Sequence, residues 1–524
     1  MKTIKTIKTI CCILAAAISL SSCDDFFDLK PTNEMVLDEY WESEDDVLSV
    51  TGAAYRAMQE PGFMQRLIVW GEFRSDNVIL GSNTGDDLNY IASLNLLPSN
   101  GYASWGDFYK VINICNTVVS FAPGVCEKDP NFTQAKMRAY VAEMKAVRAW
   151  CYFTLVRAFR DIPLVTEPVI DDTQTFQAAQ SAPEEVIDWL IGDLKAVEDD
   201  APAGWTSAAY TKGRMTQAAL RTLIAEMSLW KNDYQECITY CDKVLNDPNS
   251  RLAAETSAVY NRSLFINGNS AESIFELDFT RTNIPNYTVC EFYGTTGGHS
   301  GWGHQQMMAN DLISSTNARQ LFQSSDVRRY DALYGRDGMA SFPIKKYIAY
   351  RNEQKVDYVA ESDYSSADAG ESNWIIYRLP DLWLMKAEAL VEKGENLEEA
   401  FSLVMRTYDR ANATAGAGSL SFSDYSTQAR MRELVFDERQ REFLFEGKRY
   451  WDILRRINHD RTQFSNIVST YLTPKYVSLD QSTVKAKLSE LDGMYMPIKD
   501  TELKANLLLE QNPFYKVSSD INKN

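Results

Sequence analysis

A mainly α fold built on paired helices is predicted by three observations. Apolar residues recur at helical spacing in one segment after another. Two helix–turn–helix stretches, 214–246 and 380–411, share a layout. Between them lies 250–375, rich in Gly, Asn, Ser and Tyr, which reads as loops carried by the helical frame.

Each element has its own warrant. Ser43 to Met58 reads as a helix with an acidic first turn, following a turn at Pro31. Residues 105–121 place Phe108, Val111, Ile112, Cys115, Val118 and Val119 on one helical face. Residues 133–159 read as a long helix with Thr133 as N-cap, ended by Asp161-Ile162-Pro163. Residues 183–198 open with Pro183-Glu184-Glu185, which suits a first turn that spares a donor and attracts acid.

The first hairpin runs 214–231, turns at Asn232-Asp233 and returns over 234–246 to Asp247-Pro248. The second runs 380–393, turns at Gly394-Glu395 and returns over 397–411. Both carry Ala-Glu before the turn, Ala225-Glu226 and Ala387-Glu388. This is the form of a tetratricopeptide repeat, about 34 residues per helix pair. Such a pair cannot bury its apolar face alone, so stacked pairs share a core. Residues 105–159 and 430–457 read as degenerate pairs of the same kind.

Inside the loop-rich insertion, Ser273-Ile274-Phe275-Glu276-Leu277 is a β-like run. The tail from 459 to 524 is irregular and holds Pro474, Pro497 and Pro513. No Pro/Gly-rich linker divides the chain, so one intertwined body is expected. Its regions are 1–22, 23–235 and 236–524, the last comprising the insertion 250–375, helical repeats 376–457 and the tail.

Composition narrows the function. The chain holds 53 Lys and Arg against 72 Asp and Glu, a formal net charge of −19. That balance argues against nucleic acid, whose phosphates need clustered cations. Three His thin the field for histidine catalysis and zinc sites. His299 and His304 lie five apart in a Gly-rich stretch, without HExxH spacing, so no metal is expected. No nucleophile elbow, phosphate loop or dinucleotide fingerprint is present, and no cofactor is expected. Paired carboxylates about 5–10 Å apart would serve a glycosidase, but so acidic a chain always offers pairs.

The N-terminus sets the compartment. Lys2, Lys5 and Lys8 precede an apolar run of 11 residues, Ile10 to Leu20. That is short of the ~20 needed to span a bilayer and suits a secretory leader. Leu20-Ser21-Ser22-Cys23 has the pattern of a bacterial lipoprotein cleavage site, which would leave Cys23 as an acylated N-terminus. Several acyl chains exceed the two-signal threshold for stable anchoring. Cleavage removes three Lys and no acid, taking the charge from −19 to −22. Six Cys remain (115, 126, 151, 237, 241 and 290), without CxxC or dense spacing, and read as buried free thiols.

Several segments, in order along the chain, resemble the SusD/RagB family of Bacteroidetes surface lipoproteins. They are WGDFYKVINICN (105–116), EMKAVRAWCYFTLVRAFRDIPL (143–164), GRMTQAALRTLIAEMSLW (213–230) and YRLPDLWLMKAEAL (377–390). Most specific is ERQREFLFEGKRYWDILR (438–455), followed by the ending MPIKDTEL…QNPFY, with Lys499 where the family usually has Pro. Asp24 and Asp25, directly after the Cys, resemble a surface-export signal of Bacteroidetes lipoproteins. The resemblance implies a SusD-like fold, with tetratricopeptide-like pairs as scaffold and a loop-rich ligand face. It implies a lipid-anchored outer-membrane protein facing the cell surface. Such a protein binds oligosaccharide and delivers it to a SusC-type TonB-dependent transporter, without being an enzyme. Two other classes remain as alternatives: a surface carbohydrate hydrolase, and a peptide- or protein-binding repeat adaptor.

Sugars present apolar C–H faces and hydroxyl rims, which aromatic rings and convergent polar groups match. Two segments have that mixture. Residues 74–90 offer Asp76, Asn77, Asn83 and Tyr90 beside Arg74, Asp86 and Asp87. Residues 286–306 offer Tyr293, Trp302 and His304 among Gly. Trp302, between Gly301 and Gly303, is expected to be exposed. Asp76 and Asn77 would alternatively cap a turn. The charges of 438–455 are expected to form a scaffold network, and Arg378 to pair with Asp381 at i, i+3.

Overall fold

The computed structural model describes residues 40–516, apart from 83, 171–173, 175–176, 258, 294–304, 311–320, 324, 333–340, 352–363, 367–369 and 414–418. Helices α1 (Glu44–Met58) and α2 (Pro61–Ile68) lead through a π-helical turn, Val69–Phe73, to the short strand β1 (Val78–Leu80). Helix α3 (Asp86–Ala92) precedes the long pair α4 (Gly106–Lys128) and α5 (Gln134–Phe159). Thr133 caps α5, its hydroxyl accepting from Lys136 N. α4 runs past its expected end, through Pro123, because Ala122 and Val125 bury into the core beyond it. α1 packs on α4, and Trp41 stacks on Phe121 with centroids 5.6 Å apart.

α6 (Pro183–Lys195) packs on α5, and the hairpin α7 (Gln217–Trp230) and α8 (Tyr234–Leu245) continues the stack. Asp233 caps α8 by accepting from Glu236 N. In the insertion, β2 (Ser273–Leu277) forms where the β-like run was expected. Helix α9 (Tyr287–Tyr293), β3 (Met307–Asn310), β4 (Ser341–Phe342) and β5 (Trp374–Arg378) follow. β2 pairs antiparallel with β5, which feeds straight into α10 (Leu379–Lys393). α10 turns at Gly394 (φ +72) into α11 (Leu397–Ala411). α12 (Gln428–Glu442) and α13 (Arg449–His459) complete the frame. α8 packs on α10, and α12 on both α10 and α11, so the expected stacking of pairs is present.

The Ala-Glu motif has a physical role in both hairpins. Ala225 and Ala387 are buried, letting helices approach closely. The adjacent acids each take an arginine from another helix: Glu226 pairs with Arg157 at 2.7 Å, Glu388 with Arg455 at 2.7 Å. Cys237 and Cys241 are buried free thiols on α8.

Residues 438–455 form the expected charged scaffold. Glu442 binds Arg328, Arg378 and Arg410, and Glu446 binds Arg378 and Lys346. Arg439 and Arg455 both hold Asp452 at 2.8 Å. One expectation is corrected here. Arg378 gives only its backbone N–H to Asp381, which caps α10, while its side chain turns inward to Glu272, Glu442 and Glu446. Asp381 instead takes Lys448 at 2.7 Å. Three buried acids outbid one i, i+3 neighbour for the guanidinium.

The turn 443–448 between α12 and α13 touches the π-helical segment closely. A Cβ on Gly71 would lie 2.0 Å from the Gly447 carbonyl oxygen. Neither backbone has room to give, so Gly71→Ala should cost about 3 kcal/mol or more. A urea midpoint within error of wild type would contradict this close approach.

Candidate functional site

The two sugar-suited segments, 74–90 and 286–306, are brought together by strand pairing. β1 runs antiparallel to β3, with Val78 opposite Ala309 and Leu80 opposite Met307, and β4 pairs with the far edge of β3. The pairing continues past the strands. Gly81 N donates to Gln306 O at 2.9 Å, and the Ser82 hydroxyl donates to Gln305 Oε1 at 2.9 Å. Gln306 N donates to Glu291 O at 3.2 Å. The chain leaving β1 and the chain entering β3 therefore form one rim. Gln305 sits there in the left-handed region, φ +48. Such a conformation costs a non-glycine residue about 1–2 kcal/mol, so its neighbours must hold it.

Asp76 and Asn77 do not face that rim, which corrects their assignment as ligand contacts. Both are buried. Asp76 takes Arg449 Nε at 2.8 Å and Nη2 at 3.1 Å. Gln440 Nε2 donates to Asn77 Oδ1 at 2.8 Å, and Asn77 Nδ2 donates to Glu72 Oε1 at 2.7 Å. Their backbone carbonyls receive Asn310, through its N–H at 2.8 Å and its side-chain amide at 3.1 Å. They are the seat on which β1 and β3 are registered. They lie in the turn that leads into β1, where the Ser75 hydroxyl accepts the Asn77 N–H at 3.1 Å.

Glu72, beneath them, is pushed up to about 7 by burial, against the hydrogen bonds from Asn77 and Gly447 that lower it. It is fully buried, so this acid faces no cleft where it might protonate a substrate.

Tyr293 is likewise corrected. It is fully buried, its hydroxyl donates to Phe445 O at 2.9 Å, and its ring stacks on Tyr347. An aromatic at the end of α9 serves packing because α9 lies against α2 and β3. Tyr90 is different: it stands 44% exposed on α3, a large ring area open to solvent. Asn83, Trp302 and His304, like Cys23, lie outside the described residues.

The structure adds two polar groups that residue typing missed, Tyr102 and Glu291. Asp87 accepts from Gly101 N at 3.0 Å, which folds 100–103 back against α3. Tyr102 follows, part-exposed, its hydroxyl pushed up to about 12 by burial and by the charge of Asp87, with Arg66 opposing and Glu291 adding. Tyr102 and Glu291 thus stand within electrostatic reach across the rim. No periodicity marks them; only the β1–β3 pairing does. Among the described residues, no group of three or more His, Cys, Asp or Glu is placed to hold a metal ion.

Two family profiles match the chain. One, described as the SusD family, covers residues 280–515; the other, described as starch-binding associating with outer membrane, covers residues 25–229. SusD-like protein P38 of Formosa agariphila is 24% identical over 494 residues, covering 87% of this chain and 92% of that protein. SusD-like protein P2 of the same organism is 23% identical, covering 84% and 88%. Among solved structures, a SusD superfamily protein from Bacteroides vulgatus aligns with TM-score 0.71 at 19% identity, over 91% of this chain and all of that one. Surface glycan-binding protein A from Bacteroides uniformis aligns with TM-score 0.67 at 21% identity, over 90% of this chain and all of that one. At such identities the structural likeness speaks for the fold.

Proposed function

This chain belongs to the SusD/RagB family, and from that premise we propose that it is a cell-surface glycan receptor. It is anchored in the outer membrane through acylated Cys23 and passes oligosaccharide to a SusC-type TonB-dependent transporter. It binds and releases sugar without cleaving it. The relatives' names support glycan as the ligand class: one aligned structure is called a surface glycan-binding protein, and one matching profile starch-binding.

The observation that carries the reading is the single rim formed by β1 and β3, with Tyr90 exposed beside it. A sugar ring lying on Tyr90 would bury its C–H face, while Ser82, Gln305, Tyr102 and Asp87 offer polar groups to hydroxyls. Trp302, in the segment that enters β3, would supply a second ring.

The test is a glycan-array screen of the chain from Asp24 onward, then calorimetry on a hit. Tyr90→Ala and Trp302→Ala should each weaken binding roughly tenfold, one ring's stacking being worth about 1.5 kcal/mol. Full affinity in both variants would remove the rim as the site. Reducing ends released over time would replace the receptor by a hydrolase.

A further inference from the structure

A second cavity, about 240 Å³, opens beside the rim. Ile91 of α3 and residues 94–98 form one wall, whereas Tyr90 does not line it. The rings of Tyr450, Tyr476, Phe514 and Tyr515 stand across from it. Gly493 lets Phe514 in, since a Cβ there would lie 3.0 Å from its ring. The volume falls below the ~300–1,000 Å³ usual for drug-sized ligands, so its occupant is about one ring in size.

The charge of this cavity runs against that of the chain. Among the described residues it is lined by Arg74, Lys487 and Lys516 and by no acid, in a protein of formal charge −19. Among the described residues, Lys516 has one ion-pair partner, the exposed Glu510 at 3.6 Å. Arg74 is 8% exposed. Its guanidinium lies over the Tyr450 ring, 4.5 Å from the centroid, and its Nη2 donates to Met494 O at 2.8 Å. Its Nη1 is buried and has no hydrogen-bond partner among the described residues. The acids of the same turn are engaged elsewhere, Glu72 with Asn77 and Gly447, Asp76 with Arg449. An unmatched buried donor costs about 1–3 kcal/mol, more on a charged group. Leu94, also in the wall, is held at φ +56, a strained conformation for a branched side chain.

We propose that this cavity binds a single sugar-sized ring carrying one carboxylate, of the uronic-acid class. The carboxylate is drawn by the positive charge of the Arg74 guanidinium in the wall, with Lys487 and Lys516 beside it. The ring lies among the tyrosines. The choice of a sugar acid rests on the glycan-receptor reading; the preference for an anion rests on the cavity alone.

The test titrates D-glucuronate, with D-glucose as the neutral counterpart, against the mature chain by calorimetry or ligand-observed NMR. Glucuronate should bind at least tenfold more tightly than glucose. Arg74→Gln should weaken glucuronate at least tenfold. Because Arg74 also braces Met494 and Tyr450, the exposed Lys487→Glu provides a second reading and should weaken it threefold or more. No glucuronate binding at tens of millimolar, equal affinity for glucose, or indifference to Lys487→Glu would each overturn the proposal. Glucuronate binding lost in Tyr90→Ala but not in Lys487→Glu would place the acid on the rim, ending the second site while leaving the first reading intact.

Discussion

Arg378→Met should destabilise the protein by roughly 3–5 kcal/mol, the range for removing one partner from a buried charge network. Arg378 is fully buried at the junction of β5 and α10. It meets Glu272 at 2.9 Å and Glu446 at 2.8 Å, also engages Glu442, and donates to the Glu442 backbone carbonyl at 2.7 Å. Methionine fills the space but leaves three buried carboxylates sharing Arg328, Arg410 and Lys346. Arg378→Lys should recover only part of the loss, because an ammonium cannot reproduce the planar fork. Urea unfolding at unchanged m would report it; a midpoint within about 0.5 kcal/mol of wild type, the scale of an ordinary surface change, would show that the network does not carry this weight.

The same network sets an acid limit. Burial raises the Glu442 carboxyl, but Arg410, Arg378 and Arg328 outweigh burial and hold it well below the usual range. Glu446 falls to about 2 by the same contest, with Arg378 and Lys346 opposing burial, and Asp452 to about 2 through Arg439 and Arg455. These folded-state values lie below the unfolded ones. Their stabilisation is therefore complete above the ordinary carboxylate range and drains away as pH falls from about 4.5 towards 2.

The frame was legible in the sequence because its signals are local. Thr133 caps the helix it precedes, and Gly394 turns left-handed where the hairpin needs it. The spacing of Phe108, Val111, Ile112 and Cys115 names the face that α4 buries. Residues 438–455 read as scaffold because acids and arginines at i, i+3, such as Glu438–Arg441, satisfy one another on the helix that carries them. The site was legible as a region and not as residues. Asp76 looks like a ligand contact until Arg449, 373 positions later, closes on it. Tyr293 looks like a ligand aromatic among glycines until Phe445 offers its carbonyl. Arg378 was assigned its sequence neighbour because its true partners, Glu272, Glu442 and Glu446, are 64 to 106 positions away. Polar residue typing cannot separate a group that binds sugar from one that seats a strand, since both need convergent hydrogen bonds. Burial decides, and burial is tertiary.

That distinction leads to the substitution with the largest expected effect on binding. Gly81→Val should abolish glycan binding, by a hundredfold or more, while leaving the helical frame folded. A Cβ on Gly81 would lie 1.7 Å from the Gln305 carbonyl oxygen and 2.7 Å from the Gln306 carbonyl carbon. Both are backbone, so the strands must part. Parting them breaks Gly81 N to Gln306 O and Ser82 to Gln305, which hold Gln305 at its positive φ. The rim then comes apart, and on the proposed reading a ligand held by Tyr90 on one side and by Gln305 on the other loses simultaneous contact, a cost greater than that of either contact alone. The helix pairs pack on one another away from this contact, so helical circular dichroism should be largely retained, while the urea midpoint falls by about 3 kcal/mol, as for the clash at Gly71. Gly85→Ala is the matched control: a Cβ there meets nothing within 4 Å, and an N-cap glycine exchanged for alanine changes stability by only about 1 kcal/mol. Wild-type affinity in Gly81→Val would mean that recognition does not require the joined loops, and would move the receptor's site off the β1–β3 rim.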